Sequence, residues 1–165
     1  MEAKLRILDL GCGMKKTPGS IGIDSYKDSE ADFIHDLESF PYPFDDNSFD
    51  VIHCNHILEH LTDLVAVMNE LCRICSSGAK IKVAVPYWAS QRAFKDPTHV
   101  RFFTEHTFDY FDPDYDMNYY IGGGIKVLEV RYELSSNPLV RLFGRLLPIS
   151  FFKLFNNTIA NIYFE

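Results

Sequence analysis

Short apolar runs separated by polar turns recur along the first half of the chain. Each run has the length of a buried strand and is too short for a typical helix. The strands predicted in this way are Leu5–Leu10, Ser20–Asp24, Ala31–His35, Phe49–Cys54 and Lys80–Val85. Before the last of these strands, apolar residues at helical spacing predict one amphipathic helix over His60–Cys75, ended by Ser76–Gly78.

The second half of the chain has weaker versions of both patterns. The predicted elements are a short helix over Thr104–Phe111 capped by Thr104, a strand over Ile125–Leu134, a helical segment over Leu139–Phe155 around Pro148, and a final strand over Ile159–Phe164. Strands that alternate with a long helix are typical of an α/β fold. We therefore predict a Rossmann-like, largely parallel sheet with helices on both faces.

The length and charge of the chain narrow the class of protein. A chain of 165 residues suits one domain over residues 1–165, which can bury a core without disulfide or metal support. Sixteen basic against 23 acidic side chains give a net charge of −7, which argues against nucleic acid as a partner. Nine acids and one base lie between Asp24 and Asp50. Interleaved apolar residues distinguish this block from a disordered acidic tail.

Location and redox state follow from the apolar runs and the cysteines. The start has no apolar run of the length of a secretory signal, and no uncharged stretch reaches the roughly 18 residues of a membrane span. The four cysteines are Cys12, Cys54, Cys72 and Cys75. We expect them to be reduced thiols in a cytoplasmic protein.

Polar residues follow every predicted strand of the first half. In open α/β sheets, ligands bind beyond the carboxyl ends of the strands, so these positions should share one cleft. They are Asp9–Gly13, Asp24, Asp36, Asn55–His60 and Pro86–Trp88.

The first strand end has the most distinctive chemistry. Asp9 precedes Gly11-Cys12-Gly13, where two glycines let a ligand lie against bare main chain. Lys16 stands where the dinucleotide-binding motif has its third glycine, which disfavours a dinucleotide. The acid Asp9 would also repel a pyrophosphate and would instead suit a cationic ligand group such as an ammonium. The carboxylate of Asp24 could accept hydrogen bonds from the hydroxyls of a ribose, and that of Asp36 could accept one from an exocyclic amine. Aspartate is also common in turns, so each position has a purely structural alternative.

These segments together resemble a known family, the class I S-adenosylmethionine-dependent methyltransferases of the small type 11 kind. The resemblance covers roughly residues 5–86. It rests on an ordered set of segments: Leu8–Gly13, Gly22–Asp24, His35–Leu37, Phe40–Asp50, His56–Leu61 and the turn Cys75–Gly78 before Lys80–Val85. Each segment is weakly specific alone, whereas the ordered set is specific.

The resemblance implies S-adenosylmethionine as cofactor and a methyltransferase acting on a small-molecule, sugar or lipid acceptor. Asp9, Gly11, Cys12 and Gly13 would lie along its methionine part. Asp24 and Ser25 would bind the ribose, Asp36 and Leu37 the adenine, and Asn55 and His56 would close over the sulfonium side. Carboxylates suit a ligand that carries ammonium and sulfonium charge.

The sequence departs from the family pattern near its start. Only nine residues separate Leu10 from Ser20, whereas a parallel crossover normally takes about a dozen or more. We therefore expect the first helix to be reduced to a loop over Lys15–Gly19. The chain also begins directly at its first strand, without the family's N-terminal helices, which predicts a reduced cover over the substrate.

The substrate side is predicted after the fifth strand. Tyr87, Trp88, Arg101 and Phe102 are candidate substrate contacts, and His99 is a candidate catalytic base. An equal alternative is that His99 and Arg101 hold their loop by hydrogen bonds. The apolar and basic segment Leu139–Phe155 could belong to the core, cover the substrate, form a homodimer or touch anionic lipid.

Two other motifs offer competing hypotheses. His56-Ile-Leu-Glu59-His60 matches the H-x-x-E-H motif of a zinc hydrolase, but it lies at a strand-to-helix junction rather than within a long helix. Cys72 and Cys75 form C-x-x-C at the end of a helix, the wrong end for a redox site, which favours a packing role. A non-catalytic protein that binds S-adenosylmethionine is the remaining alternative, and no metal is predicted.

Overall fold

The fold centres on one seven-stranded sheet, seen in a computed structural model that describes residues 5–122, 124–144, 146–153 and 159–165. The strands are β1 (Ile7–Leu10), β2 (Ile21–Asp24), β3 (Phe33–Ile34), β4 (Phe49–Asn55), β5 (Cys75–Pro86), β6 (Val130–Leu134) and β7 (Ile159–Phe164). The described helices are α1 (Leu64–Ile74), α2 (Gln91–Lys95), α3 (Pro138–Phe143) and α4 (Ile149–Phe152), and 3-10 turns span Leu58–His60 and Thr107–Phe111.

The strand order in the sheet is β3-β2-β1-β4-β5-β7-β6. The first five strands pair in parallel, whereas β7 pairs antiparallel with both β5 and β6. The predicted Rossmann-like, largely parallel sheet is therefore confirmed. The chain passes from β3 on one side of β1 to β4 on the other, which creates a topological switch point beside β1.

The core lies where β1, β4, β5 and α1 meet. Leu8, Ile52 and Val85 of the sheet are fully buried together with Val67 and Leu71 of α1. Full burial of one side chain of this size stabilises the fold by about 1.5–3 kcal/mol. The strand ends above this core are thereby held in fixed positions.

The helix α1 is shorter than predicted at both ends. It begins after Asp63, whose carboxylate accepts a hydrogen bond from the Ala66 N–H at 2.9 Å, and His60 belongs to the preceding 3-10 turn. The predicted stop at Ser76–Gly78 is wrong, because the chain leaves the helix after Ile74 and enters β5 at Cys75. Gly78 has its left-handed conformation within that strand.

The second half has less regular structure than predicted. Only Val130–Leu134 of the predicted strand forms, and only Thr107–Phe111 of the predicted helix, as a 3-10 turn. Of Leu139–Phe155, the structure has α3 and α4, and positions 145, 154 and 155 lie outside the described residues. None of the helices in the described ranges is both long and apolar enough to cross a membrane.

The connection between β1 and β2 is a loop without a helix, as predicted. Its conformation is fixed by polar contacts: the Thr17 N–H donates to Asp9 at 2.6 Å, and Lys16 forms an ion pair with Asp32 at 2.7 Å. Asp32 also accepts from the Gly22 N–H at 2.7 Å. Side chains thus position this crossover where a helix would otherwise pack.

A buried carboxylate joins α1 to the loop before β4. Glu70 is nearly inaccessible and accepts hydrogen bonds from the Tyr42 N–H and from Arg73, both at 2.6 Å. Burial raises the pKa of Glu70, but the bonds from Arg73 and Tyr42 outweigh it, so the pKa lies below its usual value. Ionised Glu70 therefore stabilises the fold.

We expect Glu70→Gln to lower the free energy of unfolding by about 1.5–3 kcal/mol, the value of hydrogen bonds to a charged group. Because the folded-state pKa is depressed, this contribution is present above the unfolded value near 4.3 and is lost as pH falls through the folded pKa. Urea unfolding at pH 7 and at pH 3.5 measures it.

The control is Asp46→Asn, which removes the exposed partner of Arg73 and should cost under about 1 kcal/mol. Equal losses for the two variants at pH 7 would contradict the role of Glu70.

Candidate active site

The turn after β1 forms one wall of the candidate site at the switch point. Gly11 and Gly13 have φ angles of +66° and +53°, which favour glycine. A Cβ built on Gly11 would lie 2.4 Å from Cγ1 of Ile57, whereas one on Gly13 would meet no atom of the described part of the chain within 4 Å. The main chain is therefore packed against the Ile57 side chain at Gly11 and leaves open space at Gly13.

Asp24 lies at the end of β2, directly beside this turn. One carboxylate oxygen accepts from the Gly13 N–H at 2.8 Å, and the other accepts from the Tyr26 N–H at 2.8 Å. Asp24 is half-buried and the next residue, Ser25, is exposed. The structure thus brings the predicted ribose carboxylate to the glycine turn.

Asp9 and Cys12 are less accessible than Asp24. Asp9 is buried with one oxygen bonded to the Thr17 N–H, and Cys12 is buried. Burial, with the nearby charges of Asp24 and Asp9, raises the pKa of the Cys12 thiol to about 11. Cys12 is therefore a neutral thiol at pH 7.

Asp36 and Leu37 follow β3 at the next strand end. Asp36 is exposed and accepts from the Glu38 N–H at 3.0 Å and from the Ser39 hydroxyl at 3.1 Å. These two bonds lower the pKa of Asp36, so it is ionised at neutral pH. The Leu37 side chain is buried, and its carbonyl accepts from Tyr42.

Asn55 and His56 end β4 on the far side of β1. Both are exposed, and His56 has a φ of +54°, a left-handed conformation that few residues other than glycine adopt. The His56 N–H donates to the Ala84 carbonyl at 2.8 Å, and its Nδ1 lies 3.1 Å from Oε1 of Glu59. Local strain of this kind is commonly found at functional sites.

A cleft of about 430 Å³ lies beyond the ends of β4 and β5, and we call it the β4–β5 cleft. Ligand pockets in proteins commonly have volumes of about 300–1,000 Å³. Most of the residues that line it carry ionisable groups, and the full set is His56, Glu59, His60, Pro86, Arg92, Lys95, Asp96, Pro97 and His99.

The candidate base His99 lies in this cleft. Its Nδ1 is 3.0 Å from the Ala93 carbonyl, and its ring packs edge-on against His60 with a centroid distance of 4.7 Å. Nδ1 must carry the proton to donate to a carbonyl, which leaves Nε2 as an acceptor in the neutral ring. Both predicted roles of His99, as a loop anchor and as a cleft residue, are compatible with this placement.

The predicted substrate residues are placed differently from one another. Trp88 and Phe102 are about half exposed, and Phe102 stacks on Phe94 at 4.5 Å. Tyr87 is buried and directs its hydroxyl to Glu105 at 3.4 Å. None of the four predicted substrate contacts, Tyr87, Trp88, Arg101 and Phe102, lines the β4–β5 cleft.

Arg101 holds its own loop in place. Its guanidinium donates to the carbonyls of Leu61 and Thr62, while the Val100 and Arg101 N–H groups donate to the Glu59 carbonyl at 2.9 and 3.2 Å. These bonds support the alternative in which Arg101 fixes the loop against the 3-10 turn.

Sequence reasoning missed the two cations of the cleft. Arg92 and Lys95 lie on α2, a helix that the apolar pattern does not reveal. Ser90 caps it by accepting from the Arg92 N–H at 3.1 Å, so serine before Gln91 was the available signal.

The structure places the His56–His60 zinc motif and the Cys72 and Cys75 pair in different environments. Glu59 and His60 lie close to His99, whereas His56 contacts Glu59 from the strand side. His56 and His60 are thus separated by a 3-10 turn and not by a turn of a long zinc-binding helix. Burial raises the pKa of both Cys72 and Cys75, the latter to about 12, so neither thiol has the thiolate character that redox sites need.

The chain is similar to a family model over part of its sequence and to several solved structures over its fold. Residues 13–83 match the sequence model of a family described as a methyltransferase domain. The structure is similar to an S-adenosylmethionine-dependent methyltransferase from Archaeoglobus fulgidus, with a TM-score of 0.62, 19% identity, and coverage of 99% of this chain and 86% of that chain. A comparison with curated protein sequences gives no match.

Two other solved structures share the fold. A Mesorhizobium loti S-adenosylmethionine-dependent methyltransferase has a TM-score of 0.61 and 14% identity, over 98% of this chain and 91% of that chain. A Haemonchus contortus phosphoethanolamine N-methyltransferase 2, in complex with S-adenosyl-L-methionine, has a TM-score of 0.62 and 12% identity. The similarity covers 99% of this chain and 48% of that chain.

The structure shares the fold of these S-adenosylmethionine-dependent methyltransferases. Residues 13–83, less than half of the chain, are similar to a methyltransferase domain, and the solved structures that share the fold include enzymes dependent on S-adenosylmethionine. The site fits this cofactor on its own observations. Open space over Gly13 admits a ligand against the main chain, and the carboxylates of Asp24 and Asp36 lie at the adjacent strand ends.

Proposed function

We propose that this protein is an S-adenosylmethionine-dependent methyltransferase, which transfers a methyl group to an oxygen or nitrogen of a small molecule, sugar or lipid that carries an anionic group. The carrying observation is the β4–β5 cleft, with Arg92 and Lys95 in its lining and the candidate base His99 beside them. Guanidinium and ammonium groups suit phosphate and carboxylate groups.

The cofactor would bind at the ends of β1, β2 and β4, next to this cleft. The proposed binding residues are Asp9, Gly11, Cys12, Gly13, Asp24, Ser25, Asp36, Leu37, Asn55 and His56. His56 supports this arrangement, because it directly follows β4 and also lines the β4–β5 cleft. A cofactor bound along β1 and an acceptor in the cleft would therefore meet at His56.

The reaction needs alignment and a destination for one proton. A bond forms between the acceptor atom and the methyl carbon, the bond from that carbon to the sulfonium sulfur breaks, and S-adenosylhomocysteine remains. The proton of the acceptor hydroxyl or amine passes to Nε2 of His99 or to water. The Ala93 carbonyl supports this role of His99, since it fixes the tautomer with Nε2 free.

We expect acceptors with a phosphate or carboxylate group to be methylated in preference to their neutral analogues. Release of S-adenosylhomocysteine, measured over a set of such matched pairs of sugars, small metabolites and lipids, identifies the acceptor. Arg92→Gln and Lys95→Gln should each raise the acceptor KM about tenfold, the effect of losing one charged hydrogen bond, and leave the cofactor Kd unchanged.

The matched control is Arg131→Gln, because Arg131 is also exposed and also lies near a glutamate. A preference for neutral acceptors would contradict the anionic group. Cofactor binding without methyl transfer to any acceptor would favour the non-catalytic alternative.

Three further assignments are proposed with this function. One domain over residues 1–165 is supported by the single sheet, whose strands extend from residue 7 to residue 164. A homodimer through the C-terminal segment is supported by the exposed side chains of Leu139, Leu142 and Leu146. A cytoplasmic location stays a prediction from the sequence.

A further inference from the structure

Three potential metal-binding side chains meet in the β4–β5 cleft. One carboxylate oxygen of Glu59 and one ring nitrogen each of His60 and His99 lie within 4.8 Å of one another. Zinc bonds of 2.0–2.1 Å at tetrahedral angles need ligand atoms about 3.4 Å apart, so small side-chain rotations would close the cluster on a cation.

Both imidazoles are already oriented as metal ligands usually are. Nδ1 of His99 donates to the Ala93 carbonyl, and Nδ1 of His60 lies 2.9 Å from Oγ1 of Thr98. The Thr98 hydroxyl in turn donates to Asp96 at 2.6 Å. Outer contacts of this kind fix the tautomer, so that both Nε2 lone pairs are available to a cation.

Glu59 has an acceptor without a partner. The residue is only 1% exposed, and its Oε2 is a buried oxygen with no hydrogen-bond partner among the described residues, while Oε1 contacts His56. Leaving a charged oxygen buried and unsatisfied is costly. A cation bound to the carboxylate would remove that cost.

We propose that Glu59, His60 and His99 form a binding site for a divalent transition-metal cation, with its open coordination position facing the β4–β5 cleft. Two imidazoles and one carboxylate are the ligand set of catalytic zinc sites and of the non-haem iron(II) triad. The carboxylates of Glu59 and Asp96 offset the charges of Arg92 and Lys95 in the same cleft.

The open position would take water or an oxygen of the acceptor. Coordination of the acceptor rests on the proposed methyltransferase function, whereas the cation site itself does not. When a cation occupies Nε2 of His99, that nitrogen is no longer free to take the acceptor proton. The cation would then lower the pKa of a coordinated hydroxyl, and the proton would leave to water.

The test uses the full chain without an affinity tag, stripped with a chelator. Calorimetric titration with Zn²⁺ should show binding of one ion per chain. Titration with Co²⁺ should give the visible absorption bands of a cobalt ion with low coordination number. Glu59→Gln and His99→Gln should each weaken Zn²⁺ at least about 100-fold, since even the loss of an outer partner costs about 10–100-fold. Thr98→Ala should weaken it about tenfold.

The matched control is His106→Gln, because His106 also pairs with a carboxylate three residues away but is exposed and outside the cluster. Its Zn²⁺ affinity should equal that of the natural chain. Equal affinity in all variants, or no binding above that of surface histidines, would overturn the site. Circular dichroism and thermal unfolding confirm that each variant is folded.

A separate measurement distinguishes this inference from the proposed function. S-adenosylmethionine should bind the chelated protein and Glu59→Gln as it binds the natural chain. Absence of cation binding by the natural chain, with retained cofactor binding, would therefore contradict only the metal site. Methyl transfer that is unchanged by chelation would contradict the coordination of the acceptor.

Discussion

Replacing Asp24 with alanine should raise the Kd for S-adenosylmethionine about 10–100-fold. Hydrogen bonds to a charged group contribute about 1.5–3 kcal/mol, and each 1.4 kcal/mol is a factor of ten. Asp24 ends β2 and its carboxylate accepts from the Gly13 N–H, so the substitution removes both the proposed ribose acceptor and the partner of the turn. Isothermal calorimetry with S-adenosylmethionine and S-adenosylhomocysteine measures the change.

Two variants separate the proposed ribose contact from a structural effect. Asp24→Asn keeps one oxygen that can accept from the Gly13 N–H but loses the charge, so we expect an intermediate Kd. Asp45→Asn removes an exposed carboxylate of the same acidic block and should leave the Kd unchanged. Unaltered affinity in Asp24→Ala would contradict the ribose role.

We expect Gly11→Ala to destabilise the fold by about 2–5 kcal/mol. The new Cβ would lie 2.4 Å from the side chain of Ile57, and the φ of +66° is unfavourable for alanine. The left-handed conformation costs about 1–2 kcal/mol and overpacking about 1–3 kcal/mol. Thermal unfolding should show a fall in Tm of about 5–15 °C for a chain of this size.

Gly13→Ala is the control for backbone strain without a clash. Its φ is +53°, but a Cβ there meets no atom within 4 Å. We therefore expect a loss of only about 1–2 kcal/mol. Equal losses in Gly11→Ala and Gly13→Ala would show that the contact with Ile57 is relieved by local movement and that strain alone decides the cost.

The parallel half of the sheet could be predicted because its signals are local. Each strand before Pro86 is a short apolar run, and each is followed by a turn residue that a ligand site also needs. The loop after β1 was predictable for the same reason, since Leu10 and Ser20 are too close in sequence for a helical crossover.

The rest depends on contacts between residues distant in sequence. His60 meets His99 across 39 positions, and neither position differs in pattern from a histidine in a surface loop. The ends of α1 were misplaced because Asp63 caps the helix and β5 extends back to Cys75 to pair with Phe49. Sheet pairing overrode the local helical pattern there.

The position of β7 has a consequence for synthesis of the chain. β7 is inserted between β5 and β6, and its residues 159–164 are the last to be made of any strand in the sheet. While the ribosome is still translating that region, the β5 edge from Val83 to Pro86 has no partner. Unpaired apolar edges promote association between chains. The nascent chain should therefore be prone to aggregation until its final strand emerges.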